Sequence, residues 1–193
     1  MATSRTDWLD EGLDVLAHEG AEGLRIDRLA HRLGVTKGSF HHHFAGAAGY
    51  RTALLEHYEL LTLRALDAAV GARQEQGTRA TLEWLVELAT DERSSIRRAE
   101  LDRAVRAWAN SDSEARATQA RIDARVIEVL QAAWRPASES DAAARTAALV
   151  PYLVSLGAAV TVPPISATEL RAVYELLLGA VPGVPGAPGA PRA

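Results

Sequence analysis

The chain has no cysteine, so neither a disulfide framework nor a thiolate metal site can form. It has a single lysine, Lys37, among 21 basic residues. The glycine-rich phosphate loop, the nucleophile elbow and the HExxH helix are all missing. Ser, His and Asp are scattered without a constellation, so no catalytic residue, no cofactor and no metal is expected. No segment approaches the roughly 18 apolar residues of a membrane span. The opening residues, MATSRTDWL, lack the apolar run of a signal peptide. The expectation is therefore a soluble, cytoplasmic protein with no membrane partner. Strand-type alternation is also absent, and nothing points to a sheet.

What is present is apolar content and helical periodicity. Hydrophobic residues make up 48% of 193 residues, enough for a substantial core. The formal net charge is −4, which on its own argues against a nucleic-acid partner. The distribution argues the other way. Arg25, Arg28, Arg32 and Lys37 face a single acid, Asp27, between Arg25 and Phe44, and all six histidines lie at or before His57.

The leucines Leu9, Leu13 and Leu16 stripe a first helix over about Thr6–His18. Ile26, Leu29, Ala30 and Leu33 stripe a second. Gly34 stands where a left-handed residue ends a helix without steric cost. Thr36 is placed to cap a short third helix, Lys37–His43. Helices this short need a partner, so the three are expected to form one bundle plugged by Phe40 and Phe44. A helix, a tight glycine turn and a second helix make a helix-turn-helix pattern.

Beyond it, a long helix over about Ala48–Val70 has Tyr50, Leu54, Tyr58 and Leu61 on its expected buried side. Further helices are expected over Thr78–Thr90, Glu92–Asn110, Glu114–Trp134, Ser138–Val160 and Ala167–Ala180, with Pro151 kinking or splitting the fourth of these. The Pro/Gly-rich residues 182–193 are expected to form a disordered tail. The fold class is all-α. The domains are expected at 1–47 for the helix-turn-helix, 48–181 for a larger helical domain, and 182–193 for the tail.

The segment GLRIDRLAHRLGVTKGSFHHHF, Gly23–Phe44, resembles the DNA-binding motif of the TetR family of bacterial regulators. Leu29–Ala30, Gly34–Val35–Thr36, Gly38, Phe40 and His43–Phe44 fall in register with that motif. The resemblance implies a homodimer whose third helices enter successive major grooves of a palindromic double-stranded operator. It implies DNA contacts from Arg25, Thr36, Lys37, Gly38, Ser39, His41, His42 and His43. Lys37 can reach a phosphate or a guanine edge. Gly38 permits close approach. The Thr36 hydroxyl and the adjacent backbone N–H groups suit a phosphate.

Two positions depart from the family pattern. Arg25 replaces a capping threonine, and Ala47 replaces a lysine that contacts the DNA backbone. Arg25 and Arg51 offer substitute charges. His41, His42 and His43 point about 100° apart on a helix and cannot converge on one metal ion.

The resemblance further implies that the last two helices pair with their copies, and that the middle helices enclose a small-molecule effector. Tyr58, Trp84, Trp108, Trp134 and Tyr152 are the candidate lining residues. The implied function is a repressor released by its effector. The alternative is a helical dimeric interaction protein that kept the helix-turn-helix and lost DNA binding. That alternative draws on Ala47, the net charge and the acidic first helix with Asp7, Asp10, Glu11 and Asp14.

Overall fold

Ser4 starts the first helix by a reciprocal cap. Its hydroxyl accepts from the Asp7 N–H at 3.2 Å, and the Asp7 carboxylate accepts from the Ser4 N–H at 2.7 Å. These two hydrogen bonds, the backbone one first, hold the Asp7 carboxyl below its ordinary pKa. From this cap α1 runs Arg5–Glu19. The computed structural model describes residues 3–71, 83, 87, 92–163 and 165–179, and every regular element among them is helical. After α1 come α2 (Ile26–Arg32), α3 (Lys37–His43), α4 (Gly46–Gly71), α5 (Glu92–Ala109), α6 (Ser113–Trp134), α7 (Asp141–Val160) and α8 (Ala167–Gly179). The all-α class with an N-terminal helix-turn-helix stands as expected. Of the helix expected over 78–90 only Glu83 and Glu87, both helical, are described; the rest of it, with Trp84, and the 182–193 tail lie outside the described residues.

The chain divides into two compact units. The first comprises Met1–Ala65 and Arg97–Asp123; the second takes the described residues of Leu66–Ile96 and Ala124–Ala193.

The first unit is built on an aromatic knot. Trp8 of α1, Phe40 of α3 and Tyr50 of α4 are buried, with Phe44 beside them. Phe40 lies 5.3 Å from Trp8, 5.1 Å from Phe44 and 5.4 Å from Tyr50 between ring centroids. Gly12 lets α1 and α4 approach. An added Cβ would sit 2.0 Å from the Tyr50 hydroxyl oxygen and 3.0 Å from Leu54 Cδ1. That hydroxyl donates to the Trp8 carbonyl at 2.8 Å, and burial raises its pKa. Gly12→Ala is therefore expected to cost about 1–3 kcal/mol. A lower urea midpoint at unchanged slope would show it, and Tyr50→Phe in the same chain should recover part of the loss. On α4, Tyr50, Leu54 and Tyr58 are buried as expected, but Leu61 is 43% exposed. Ala53 and Leu55 complete the buried face in its place.

A part-buried polar cluster ties α4, α5 and α6 together within this unit. Arg106 forks onto Asp123 at 2.7 and 3.0 Å and reaches Asp102 at 2.7 Å. Gln119 donates to both carboxylates and Tyr58 donates to Asp102. Burial opposes the Arg106 charge, but Asp123 and Asp102 outweigh it and push its pKa up. Burial, with Asp102 next, raises that of Tyr58.

In the second unit Leu130 and Trp134 of α6 pack on Ala144 and Ala148 of α7. Ser140 caps α7, accepting from the Ala143 N–H at 3.1 Å. Pro151 does not split α7, which is continuous through it. The freedom from charge between Ala147 and Val160 makes α7 long and apolar enough to cross a membrane by length and composition, with mean hydropathy 1.4. This corrects the expectation that no segment approaches that measure. The alanine and valine content produces it, and only 17% of that stretch is buried inside the structure. Tyr174 of α8 turns inward and donates to the Pro151 carbonyl at 3.2 Å, while Leu176 faces outward.

Candidate nucleic-acid interface

The turn between α2 and α3 has the geometry its glycine foretells. Gly34 has φ +67°. Its N–H reaches the His31 carbonyl at 3.1 Å, and the Val35 N–H reaches Ala30 at 2.9 Å. These paired bonds close α2 in a Schellman turn and turn the chain directly into α3.

Phe40 and Phe44 fix α3 from beneath. Its outer surface consists of Thr36, Lys37, Gly38, His41 and His42, all exposed, with Ser39 and His43 half-buried. Lys37 makes no ion pair among the described residues. His43 Nε2 lies 3.0 Å from the Thr3 carbonyl. A carbonyl only accepts, so this nitrogen holds the proton and ties α3 to the start of the chain. Thr36 occupies the N-cap position with extended backbone, but its side chain makes no capping bond, contrary to expectation. The Ser39 N–H that it would have served goes instead to the Thr36 carbonyl at 3.0 Å.

The basic patch read from the sequence is largely consumed inside the unit. Arg28 pairs with Glu19, and Arg32 with Glu11 and Glu19. Arg25 stands at the N-cap of α2 without capping it and lies 3.6 Å from Asp27. The acids of α1 thus have internal work. Asp7 caps, Glu11 and Glu19 hold α2, and Asp10 meets His57 of α4 at 2.9 Å. Partners so far apart in sequence left no signal that spacing could reveal.

Arg51 is also committed. Its guanidinium lies 5.1 Å over the Trp108 ring and donates to Asp112 at 2.6 Å. Ala47 is exposed and brings no charge of its own. Tyr58 and Trp108 belong to the first unit, and Trp134 and Tyr152 to the second. An open cleft of ≈ 400 Å³ in the first unit is lined by Ala17, His18, Glu100, Arg103 and Ala104, and by none of these aromatics. Among the described residues no group of three or more His, Asp or Glu could hold a metal ion.

Residues 9–49, from the middle of α1 into the start of α4, match the family model for bacterial regulatory proteins of the tetR family. By this segment the N-terminal part of the chain is similar to the DNA-binding domain of the tetR family. The matched residues take in the latter part of α1, all of α2 and α3, and the first residues of α4. No curated protein matches the chain by sequence. Several solved structures share its fold. A protein from Rhodococcus sp., described as a TetR-family transcriptional regulator, superposes with a TM-score of 0.75 at 20% identity. The alignment covers 92% of this chain and 97% of that one. Escherichia coli NemR in its reduced form gives 0.74 at 20% identity, over 93% and 99% of the two chains. A protein described as a transcriptional regulator from Saccharomonospora viridis, solved in complex with choline, gives 0.72 at 17%, over 91% and 95%. At these identities the likeness to each is one of fold.

Proposed function

We propose that the protein is a dimeric, sequence-specific DNA-binding transcriptional regulator, a repressor that a small-molecule effector releases from its operator. The observation that carries this reading is α3 itself. Phe40 and Phe44 anchor one side of it, and Lys37, Gly38, His41 and His42 are left outward on the other. The match of residues 9–49 to the TetR family supports it. In this reading residues 1–47 form the DNA-binding domain and 48–181 the sensing and dimerisation domain. Lys37 supplies the main free cation, and Thr36, Ser39, His41, His42 and Arg25 add hydrogen bonds or charge at the DNA surface. His43 contributes through the ring nitrogen that Thr3 leaves open.

A palindromic operator calls for two reading heads about 34–36 Å apart. The second copy is proposed to dock on the outward face of α7 and α8. Val150, Leu153 and Val160 of α7 and Val173 and Leu176 of α8 are exposed there, Leu153 by 59% and Leu176 by 74%. The effector acts by favouring a spacing that the operator does not fit. Its coupling is bounded by its differential affinity for the two states, typically about 1–3 kcal/mol. Trp134 is a candidate effector contact, since its indole N–H is buried without a partner, and Tyr152 packs against the same cluster.

The test is a selection of purified protein against random DNA, followed by titration of the winners at two salt concentrations. Recovery of a palindrome supports the reading; a folded protein that enriches no sequence overturns it. On the recovered operator, Lys37→Ala is expected to weaken binding by about 10- to 100-fold. If Lys37 touches phosphate, the salt slope falls by about one unit.

A further inference from the structure

Tyr50 and Arg51 are neighbours on the second turn of α4, and they face different partners. The Tyr50 ring lies 4.9 Å from Phe44 and 5.4 Å from Phe40, so α3 rests on it. Arg51 reaches the other way, to the end of α5 and the turn that follows it. There its guanidinium covers Trp108 at 5.1 Å and donates to Asp112 Oδ2 at 2.6 Å. Asp112 is fixed in its turn. Its other oxygen caps α6, accepting from the Glu114 and Ala115 N–H groups at 2.9 and 3.0 Å. Trp108 is 5% exposed, and its carbonyl accepts from the Ser111 and Asp112 N–H groups at 3.0 and 3.1 Å. Arg116 closes the same turn, donating to the carbonyls of Ala109 and Asn110 at 3.0 and 3.1 Å.

We infer that Arg51 is a positioning residue for the DNA-reading helix. Clamped between the Trp108 ring and Asp112, it fixes the first turns of α4, and through Tyr50 it fixes the attitude of α3. The inference rests on the DNA-binding reading above. It assigns Arg51 a role opposite to the one its charge suggests. Standing one turn beyond Ala47, Arg51 looks like a substitute phosphate contact. A guanidinium bonded to a carboxylate and laid over an indole is already occupied. Trp108 lies in the last turn of α5 and Asp112 on the α5–α6 turn, so this corner becomes part of the reading apparatus without touching DNA.

The two roles predict opposite results. Asp112→Asn keeps a side-chain oxygen to cap α6 but gives up the charge that holds Arg51. A phosphate-contacting Arg51 would be released by this change, and operator affinity would rise. A clamping Arg51 is loosened, and affinity should fall about 3- to 10-fold with the salt slope unchanged. Arg51→Lys keeps the charge but loses the guanidinium that lies over the indole and bonds Asp112. A phosphate contact would survive it; the clamp predicts the same loss as Asp112→Asn, with the double variant no worse than either single one.

Amide hydrogen exchange in the free protein gives a readout that needs no DNA. In both variants the first turns of α4 should exchange about tenfold faster, while α7 and α8 keep the wild-type rate. Unchanged exchange, or affinity that rises in Asp112→Asn, overturns the clamp. If the wild-type chain selects no operator while the exchange changes as expected, the DNA-binding reading fails and the clamp survives as a structural joint.

Discussion

A chain carrying Leu153→Asp together with Leu176→Asp is expected to sediment as a monomer with its helical content intact. Both leucines are large, apolar and mostly in water on α7 and α8. Replacing them removes little that the single chain has buried, so the fold should survive. In a paired face the same aspartates would be desolvated without partners, which costs several kcal/mol per buried charge. The separation of roles on α8 sharpens the expectation. Tyr174 is bonded to the Pro151 carbonyl and belongs to the single chain, so Tyr174→Phe should leave sedimentation unchanged. Operator binding would suffer far more than sedimentation alone implies. Two linked heads engage a palindrome with an avidity of roughly 100- to 10,000-fold over one, and the monomer should lose a factor in that range. A wild-type chain that already sediments as a monomer, or a variant that still dimerises, would remove α7 and α8 as the interface.

The second large effect is expected from Phe40→Ala. This ring is fully buried at the centre of the knot formed by Trp8, Phe44 and Tyr50. Truncating a buried phenylalanine costs about 3–5 kcal/mol, part lost transfer energy and part cavity. Here the cavity opens under a helix of seven residues, Lys37–His43, which has no stability of its own. Denaturant unfolding should move to a lower midpoint, and operator affinity should disappear with the order of α3. Phe40→Leu refills most of the space and should recover most of both. Loss of DNA binding at unchanged stability would mean that Phe40 does not act through packing.

The helix-turn-helix was largely readable because its signals are local. Gly34 has one conformational reason to stand where it does, and its φ of +67° confirms it. Phe40 and Phe44 are one turn apart, and both point inward. The expected α3, Lys37–His43, coincides with the observed one. Local signals were also overlooked, since Ser4 and Asp7 spell a capping pair three residues apart. Other features were legible in kind but not in place. Trp108 and Trp134 are buried, as their size suggests, yet they belong to separate units. Periodicity names a face and does not say what lies against it. Long-range ion pairs were not legible at all. Arg28 and Arg32 read as free cations until the fold brings Glu11 and Glu19 of α1 beside them. Arg51 likewise meets a carboxylate 61 positions away. On α8 the apolar run concealed a division of labour, with Tyr174 inside and Leu176 outside.

The pairing of Arg28 and Arg32 with α1 has a consequence for how the protein would find its site. Affinity for arbitrary DNA grows with the number of phosphates neutralised, and so does the time a protein spends sliding along it. A head that spends Arg28 and Arg32 on its own scaffold and turns out little beyond Lys37 and Arg25 grips random sequence weakly. Its search would proceed by short contacts and frequent release into solution rather than by long one-dimensional scans. Discrimination between operator and genome would then rest on base edges and on the fit of two heads at once, and would change little as cellular salt rises and falls.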